Sequence, residues 1–191
     1  MAYTVSPAGV EDRQKILARK EAKKLSKAKR ETAHANKARL EYKRKNVDWQ
    51  HEKTQKVFNK LRRLEEFLWF YEQGLEPECI SCGKIKMDWC CGHFMTVGAS
   101  GVLRYEPKNT YLQCNFRCNR NLSGNRKGNA TTRGYEAGLV DRFGVEPGKE
   151  IISWCENNQY QIKRWEWQEL ELMRKGFNAR IRKLEIELDL Y

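Results

Sequence analysis

Cys79-Ile-Ser-Cys82-Gly83 and Cys114-Asn-Phe-Arg-Cys118, with 31 residues between the two pairs, decide how this 191-residue chain folds. Two close pairs of thiols are the pattern that delivers four soft ligands to a tetrahedral Zn²⁺. Gly83, directly after Cys82, suits the tight turn of such a knuckle. Four reduced core thiols are the alternative, but the surroundings are too polar and too rich in Gly and Asn for a plain core. Seven cysteines is an odd number, and no secretory pattern precedes them, so disulfides explain them poorly. Cys79, Cys82, Cys114 and Cys118 are therefore expected to hold a structural zinc ion. Cys155 stands alone beside Trp154 on an expected helix and reads as a buried core thiol.

Outward from the cysteines the chain becomes helical. From Glu11 to about Gln73 there is neither Pro nor Gly, and Ala, Lys, Arg, Glu and Leu dominate, which predicts a long helix. Its first part carries few large apolar residues, among them Ile16, Leu17, Leu25 and Leu40. Further on, Val57, Leu61, Leu64, Leu68 and Tyr71 step by four and three, as a packing seam does. Gly74 and Pro77 stop it. Beyond the cysteines, residues 134–158 suggest two short helices parted by Gly144 and Pro147-Gly148. Residues 161–190 suggest a last long helix, with Phe177, Ile181, Leu184, Leu188 and Tyr191 repeating the seam. The two seams are expected to pack together, within one chain or across a homodimer. Short extended runs are expected near 84–91 and 111–113, with a helix starting near Asn115 or Cys118. The division predicted is a flexible terminus over 1–10, a basic helical arm over 11–75, a zinc-binding core over 76–145 and C-terminal helices over 146–191. The fold class expected is α+β, mostly helical, with a small zinc-stapled core between long helices.

The formal net charge is +12, and all of it sits in residues 11–63, where 19 Lys and Arg face 7 Asp and Glu. Such a block fits a polyanion, because Lys and Arg displace counterions from phosphates. Lys23, Lys24, Lys27, Arg30, Lys43 and Arg44 are its candidate contacts. The bland alternative is a solvated basic helix with no partner. A membrane surface fits less well, since the segment lacks a continuous apolar face. No stretch approaches a membrane span, and Met1 to Val10 has no basic-then-apolar pattern. A cytoplasmic protein is expected. Around the cysteines, Arg104, Lys108, Arg117, Arg120, Arg126 and Lys127 extend the positive bias, with Asp88 and Glu106 as the acids over 79–133.

Between the cysteine pairs lies Asp88-Trp-Cys-Cys-Gly-His93-Phe94, followed by Leu103-Arg104-Tyr105, Asn109 and Cys118-Asn119-Arg120-Asn121-Leu122-Ser123-Gly124-Asn125. The other histidines, His34 and His51, fall on the basic helix and are expected to be exposed. A single histidine is more often structural than catalytic. The position of His93, after a strand-like run and inside a metal-stapled unit, gives it more weight.

Over 79–125 the chain resembles HNH endonucleases, and more narrowly the NinG/Rap recombination proteins of lambdoid phages. The carrying residues are the Cys-Ile-Ser-Cys-Gly knuckle, Trp89 with Gly92-His93-Phe94, Leu103-Arg104-Tyr105 with Asn109, and Gln113-Cys114 followed by Cys118-Asn119 and Ser123-Gly124-Asn125. The resemblance implies a ββα-metal core, a β-hairpin and helix gripping a divalent ion. It implies His93 as general base, Asn109 as the side chain holding His93 or the hairpin loop, and Asn119 as a ligand of catalytic Mg²⁺ or Mn²⁺. Arg104 would contact phosphate. The family's acidic ligand before the histidine is matched only by Asp88, since Cys90 and Cys91 follow Trp89. Asn121 stands where lambdoid relatives have His.

The function expected is that of a metal-dependent, structure-selective DNA endonuclease in the bacterial host of a phage. Its implied substrates are branched recombination intermediates such as D-loops or Holliday junctions. The alternative is a zinc-stapled DNA-binding recombination protein without catalysis.

Overall fold

The computed structural model describes residues 7–120, 126–130 and 132–188, with side chains from residue 14 onward. Helix α1 spans Pro7–Arg44. Its thirteen Lys and Arg against five Asp and Glu keep it soluble but give it little to bury, and every described side chain in it is exposed. Contacts divide the chain after Asn46, into one unit over Met1–Asn46 and another over Val47–Tyr191. The uninterrupted helix expected over 11–73 is thus broken. Backbone bonds from Lys45 to Tyr42 and from Asn46 to Lys43 close a turn there. Asn46 then stands before helix α2, Val47–Glu72, whose first turn carries Asp48.

In the second unit, β1 (Trp89–His93) pairs antiparallel with β2 (Thr110–Cys114), Trp89 opposite Cys114 and His93 opposite Thr110. The expected extended run over 84–91 begins later than its residues suggested, because Lys86 turns the backbone into the left-handed region at φ 55°. The expected piece over 111–113 lies within β2. A five-residue π-helical turn, Asn115–Asn119, follows at once. Two 3₁₀ turns, Val102–Tyr105 and Pro107–Asn109, occupy the long connection between the strands. Helix α3 is Tyr135–Phe143, α4 Val145–Asn158 and α5 Trp167–Glu187. Gly144, at φ 91°, makes the break between α3 and α4. Pro147 sits inside the first turn of α4, where its missing N–H leaves no helical bond unmade. Among the described residues the chain is therefore α-rich with a small two-stranded sheet. No described helix is long and apolar enough to cross a membrane.

The two seams meet within one chain. Leu61 and Leu64 pack with Ile181 and Leu184, flanked by Val57, Leu68, Phe177 and Leu188. Cross-contacts climb together, from Thr54 on Leu170 through Phe58 on Phe177 to Lys60 with Glu185, so α2 and α5 run parallel. Tyr71 was expected in this seam but is 75% exposed. Among the described residues, α5 ends before it reaches Tyr71. Tyr191 lies outside the described residues. A second apolar cluster gathers Ile80, Phe94, Met95, Leu103, Tyr111, Tyr135, Leu139 and Cys155 around the hairpin, with Cys155 fully buried as expected.

Helix α2 also closes the outer edge of β2 with charged side chains. Glu66 accepts the Leu112 N–H at 2.9 Å and pairs with Arg142 of α3 at 2.7 Å. Arg62 donates to the Thr110 hydroxyl and carbonyl, both at 3.0 Å, and pairs with Glu65 and Glu66. The Arg142 guanidinium sits 4.0 Å from the centre of the Trp69 ring and 4.5 Å from that of Phe70. An edge strand with unpaired amides would be costly in a core, and here ionised side chains satisfy it.

Candidate functional site

The first knuckle turns tightly because Gly83 takes φ 66° and donates its N–H to the Cys79 carbonyl at 2.8 Å, while Cys79 N–H bonds the Lys84 carbonyl. The second cysteine pair straddles the end of β2 and the π-helical turn. Together they bring the sulfurs of Cys79, Cys82, Cys114 and Cys118 within 4.8 Å of one another. Cys82 and Cys114 are 3.9 Å apart. Tetrahedral coordination with Zn–S near 2.3 Å requires sulfurs about 3.8 Å apart, so the donor set and its spacing fit zinc. Cys79 Sγ also accepts the Cys114 N–H at 3.3 Å, as a thiolate ligand does. Burial pushes the Cys79 thiol well up. At Cys82 burial also raises the pKa, but the Lys84 N–H and the neighbouring thiols outweigh it and lower the value. These four cysteines can hold a metal such as zinc. Three of the four are buried, a closed arrangement that favours a structural ion over a reactive one.

His93 ends β1 at the opposite end of the hairpin. It is 8% exposed. Its Nε2 lies 3.1 Å from the Arg104 carbonyl, and a carbonyl only accepts, so in the tautomer that makes this bond Nε2 carries the proton and Nδ1 keeps its lone pair. Burial holds its pKa below the usual value. The Arg104 carbonyl opposes that shift, the Arg104 charge adds to it, and the Cys91 carbonyl opposes it again. His93 is therefore neutral at pH 7. Asn109, fully buried, clamps the connection between the strands. Its Oδ1 accepts the Met95 N–H at 2.7 Å, and its Nδ2 donates to the carbonyls of Met95 and Leu103, both at 3.0 Å. The Phe94 N–H bonds its backbone carbonyl at 2.8 Å. Asn109 thus fixes both the segment leaving His93 and the one carrying Arg104.

Asp88 does not join His93. It is exposed, its carboxylate accepts from Asn115 Nδ2 at 3.1 Å, and its carbonyl accepts the Asn115 N–H. Both bonds tie it to the cysteine end. Five residues of strand at about 3.3 Å each put it roughly 16 Å from His93. Asn119 closes the π-helical turn beside Cys118. Among the described residues, the four cysteines are the group of His, Cys, Asp and Glu close enough to share an ion. The expected ion site of Asp88, His93 and Asn119 is not assembled, because extended chain keeps the carboxylate and the imidazole apart. Asn121 and Ser123-Gly124-Asn125 lie outside the described residues. Cys90 and Cys91 face protein, with pKa values pushed up to about 12 by burial.

The basic residues divide. Lys108, Arg117, Arg120 and Lys127 are exposed, as are Lys23, Lys24, Lys27, Arg30, Lys43 and Arg44 on α1. Arg126 is engaged in the core instead. It pairs with Glu136 and Glu156 and its guanidinium lies 4.6 Å from the Phe94 ring centre. Arg104 is half-buried, held by its place in the 3₁₀ turn. His51, expected to be exposed, is half-buried on α2 and bonds the Tyr105 hydroxyl through Nδ1 at 2.9 Å. The break at Asn46 explains this, since it turns His51 from an arm residue into a core one.

Tyr135 does more than its sequence position suggested. Its hydroxyl donates to the Gly92 carbonyl at 2.9 Å and accepts the Tyr111 N–H at 3.1 Å, bridging the two strands just before His93. Gly92 is needed there. A Cβ on it would lie 2.7 Å from the Gln113 Cβ. A glycine inside a strand, directly after two cysteines, was the available signal for such a close approach.

Comparison with known proteins agrees on family. The chain is 28% identical over 114 residues to protein ninG of Salmonella phage P22 and 30% identical over 114 residues to that of Enterobacteria phage H19B. Protein ninG of Escherichia phage lambda is 29% identical over the same length. Each match covers 59% of this chain and about half of the relative, 50% for P22 and lambda and 51% for H19B. The chain thus spans about half the length of the curated relatives it matches. No solved structure matches it. A family profile described as Bacteriophage Lambda NinG protein matches residues 5–187, nearly the whole chain, and the chain belongs to that family.

Proposed function

We propose that this chain is an HNH-like DNA endonuclease selective for branched recombination intermediates, with His93 as its general base. One observation carries the reading. His93 is neutral, oriented through Nε2 by the Arg104 carbonyl, and set at the mouth of a loop pinned by Asn109. In the proposed reaction Nδ1 takes a proton from water as the water oxygen bonds phosphorus, the P–O bond to the departing sugar oxygen breaks, and that oxygen takes up a proton from solvent. Arg104, Lys108 and the exposed cations of α1 would draw in and hold the phosphate backbone. A divalent ion such as Mg²⁺ or Mn²⁺ would supply charge stabilisation at the phosphate. The described residues do not gather a set of His, Asp and Glu ligands for it. The zinc held by the four cysteines is scaffold.

A second reading is favoured by the position of Asp88, far from His93, and by the burial of His93 itself. It is a zinc-stapled DNA-binding protein that assists recombination without cutting. A nicking assay on a four-way junction and a matched linear duplex, with Mg²⁺ or Mn²⁺, separates the two. Junction cleavage that vanishes in His93→Ala while binding persists is expected. Tight binding with no cleavage by the wild-type protein would overturn the catalytic reading in favour of the second.

A further inference from the structure

The cysteine cluster is remote from His93, yet it displays an apolar side chain. Phe116 lies in the turn between Cys114 and Cys118 and is 60% exposed. A short knuckle turn has no interior of its own, so its side chains point outward unless the body of the protein covers them. Among the described residues the Arg120 guanidinium lies over it, 4.6 Å from its ring centre. That contact is a cation–π pair, and the residue remains largely exposed beside it. Beside it stands exposed Arg117, and the other knuckle adds exposed Lys84 and Lys86. The two knuckles meet at the four sulfurs, so these cations belong to one end of the unit. Asp88, the acid nearby, is bonded to Asn115. A neutral amide does not cancel its charge, yet four cations against Asp88 and the double negative charge of a zinc tetrathiolate still leave this end net positive.

An exposed aromatic ring among cations does not suit a solvated surface, where it exposes apolar area without return. Nor does it suit an apolar protein partner, which would have to desolvate four charges. It does match the two parts of single-stranded nucleic acid, a base to stack and a phosphate to neutralise. Fully paired DNA offers no free base face.

We propose that Phe116, with Arg120 beside it, is a stacking platform for an unpaired base, and that Lys84, Lys86 and Arg117 hold the adjoining backbone. This inference rests on the DNA-binding part of the function proposed above, and it names the feature of a branched substrate that the protein senses. The unpaired nucleotide is bound at the zinc end of the hairpin, with the histidine at the other end, roughly 13 Å away along β1.

The test uses the full chain loaded with zinc and a duplex bearing a short single-stranded flap with 2-aminopurine at one unpaired position. Stacking on Phe116 quenches that base. Wild-type protein is expected to quench it, and Phe116→Ala to abolish the quenching and weaken flap binding about tenfold or more. Affinity for the same duplex without the flap should be unchanged, and Phe116→Trp should restore both signals. Phe116 is exposed, so the variant keeps its fold, which its zinc content checks. Equal flap binding and quenching by wild type and Phe116→Ala would overturn the inference. So would a loss of affinity that is the same for flap and plain duplex, or binding confined to an RNA flap. A wild-type protein that quenches but never nicks removes only the catalytic reading. One that nicks junctions without quenching removes only this one.

Discussion

Replacing Glu66 with Ala should destabilise the protein more than any other single substitution on α2. The carboxylate is 6% exposed and serves three partners, Arg142, Arg62 and the Leu112 N–H. Arg62 is cushioned, since it keeps Glu65 and the two Thr110 oxygens. Arg142 is not. Its side chain is 3% exposed and would face only aromatic rings. Removing one partner of a buried ion pair costs about 3–5 kcal/mol. An orphaned strand amide adds about 1–3 kcal/mol. Retained cation–π contacts offset ~1 kcal/mol of the second figure, and the losses share atoms, so they do not add fully. The expected loss is about 4 kcal/mol, a large fraction of the 5–15 kcal/mol typical of a domain. Urea unfolding of the zinc-loaded protein at pH 7.5 measures it, provided the slope m is unchanged. Glu66→Gln, which can still accept from Leu112, should lose about half as much. The double variant Glu66→Ala/Arg142→Met should be more stable than Glu66→Ala, because it removes the stranded charge. A loss below ~1 kcal/mol for Glu66→Ala, or a double variant less stable than the single, would refute the argument that α2 holds the sheet edge through charge.

Zinc removal should unfold the region around the hairpin. Metal analysis should find one zinc per chain, Cys114→Ser should abolish it, and a chelator should lower the melting temperature of the wild type but not of that variant. Tyr135→Phe strands the Tyr111 N–H and the Gly92 carbonyl and should cost about 2 kcal/mol by urea unfolding. For pH, burial lowers the values of both His93 and His51 in the folded state. The unfolded chain therefore binds more protons below its own value near 6.5. The contribution is whole above that pH and is lost as pH falls towards the folded values. Unfolding midpoints at pH 7.5 and 5.5 should differ less in His93→Asn than in the wild type, a comparison in which acid loss of zinc is common to both.

The two hydrophobic seams and the four-cysteine cluster were legible because each is a local spacing that geometry must respect. Leu61, Leu64, Ile181 and Leu184 are buried where the four-and-three stepping put them. The break at Asn46 was not legible, because no Pro or Gly marks it and the helix-forming composition continues across it. Asp88 misled for a different reason. Its closeness to His93 in sequence becomes distance in space once the residues between are a strand, and its partner Asn115 comes from the far side of the hairpin. The roles of Glu66, Arg62 and Arg142 were not legible, because nothing local says that a strand edge 46 residues beyond Glu66 will need them. Arg126 was taken for a phosphate contact on charge alone, and only the fold reveals Glu136 and Glu156 around it.

The parallel packing of α2 on α5 bears on how the chain is made. Thr54 meets Leu170 and Lys60 meets Glu185 across separations of 116 and 125 residues. During synthesis α2 leaves the ribosome well before α5, and its apolar stripe waits for that helix. The knuckles, by contrast, close over 31 residues and need only metal. A metal-closed hairpin should therefore assemble first and the helical clasp last, a high-separation step of the kind that slows folding. Until then Phe58, Leu61 and Leu64 are exposed to aggregation or to chaperones. A ribosome stalled before residue 167 should hold a chain with bound zinc and an open, protease-sensitive α2.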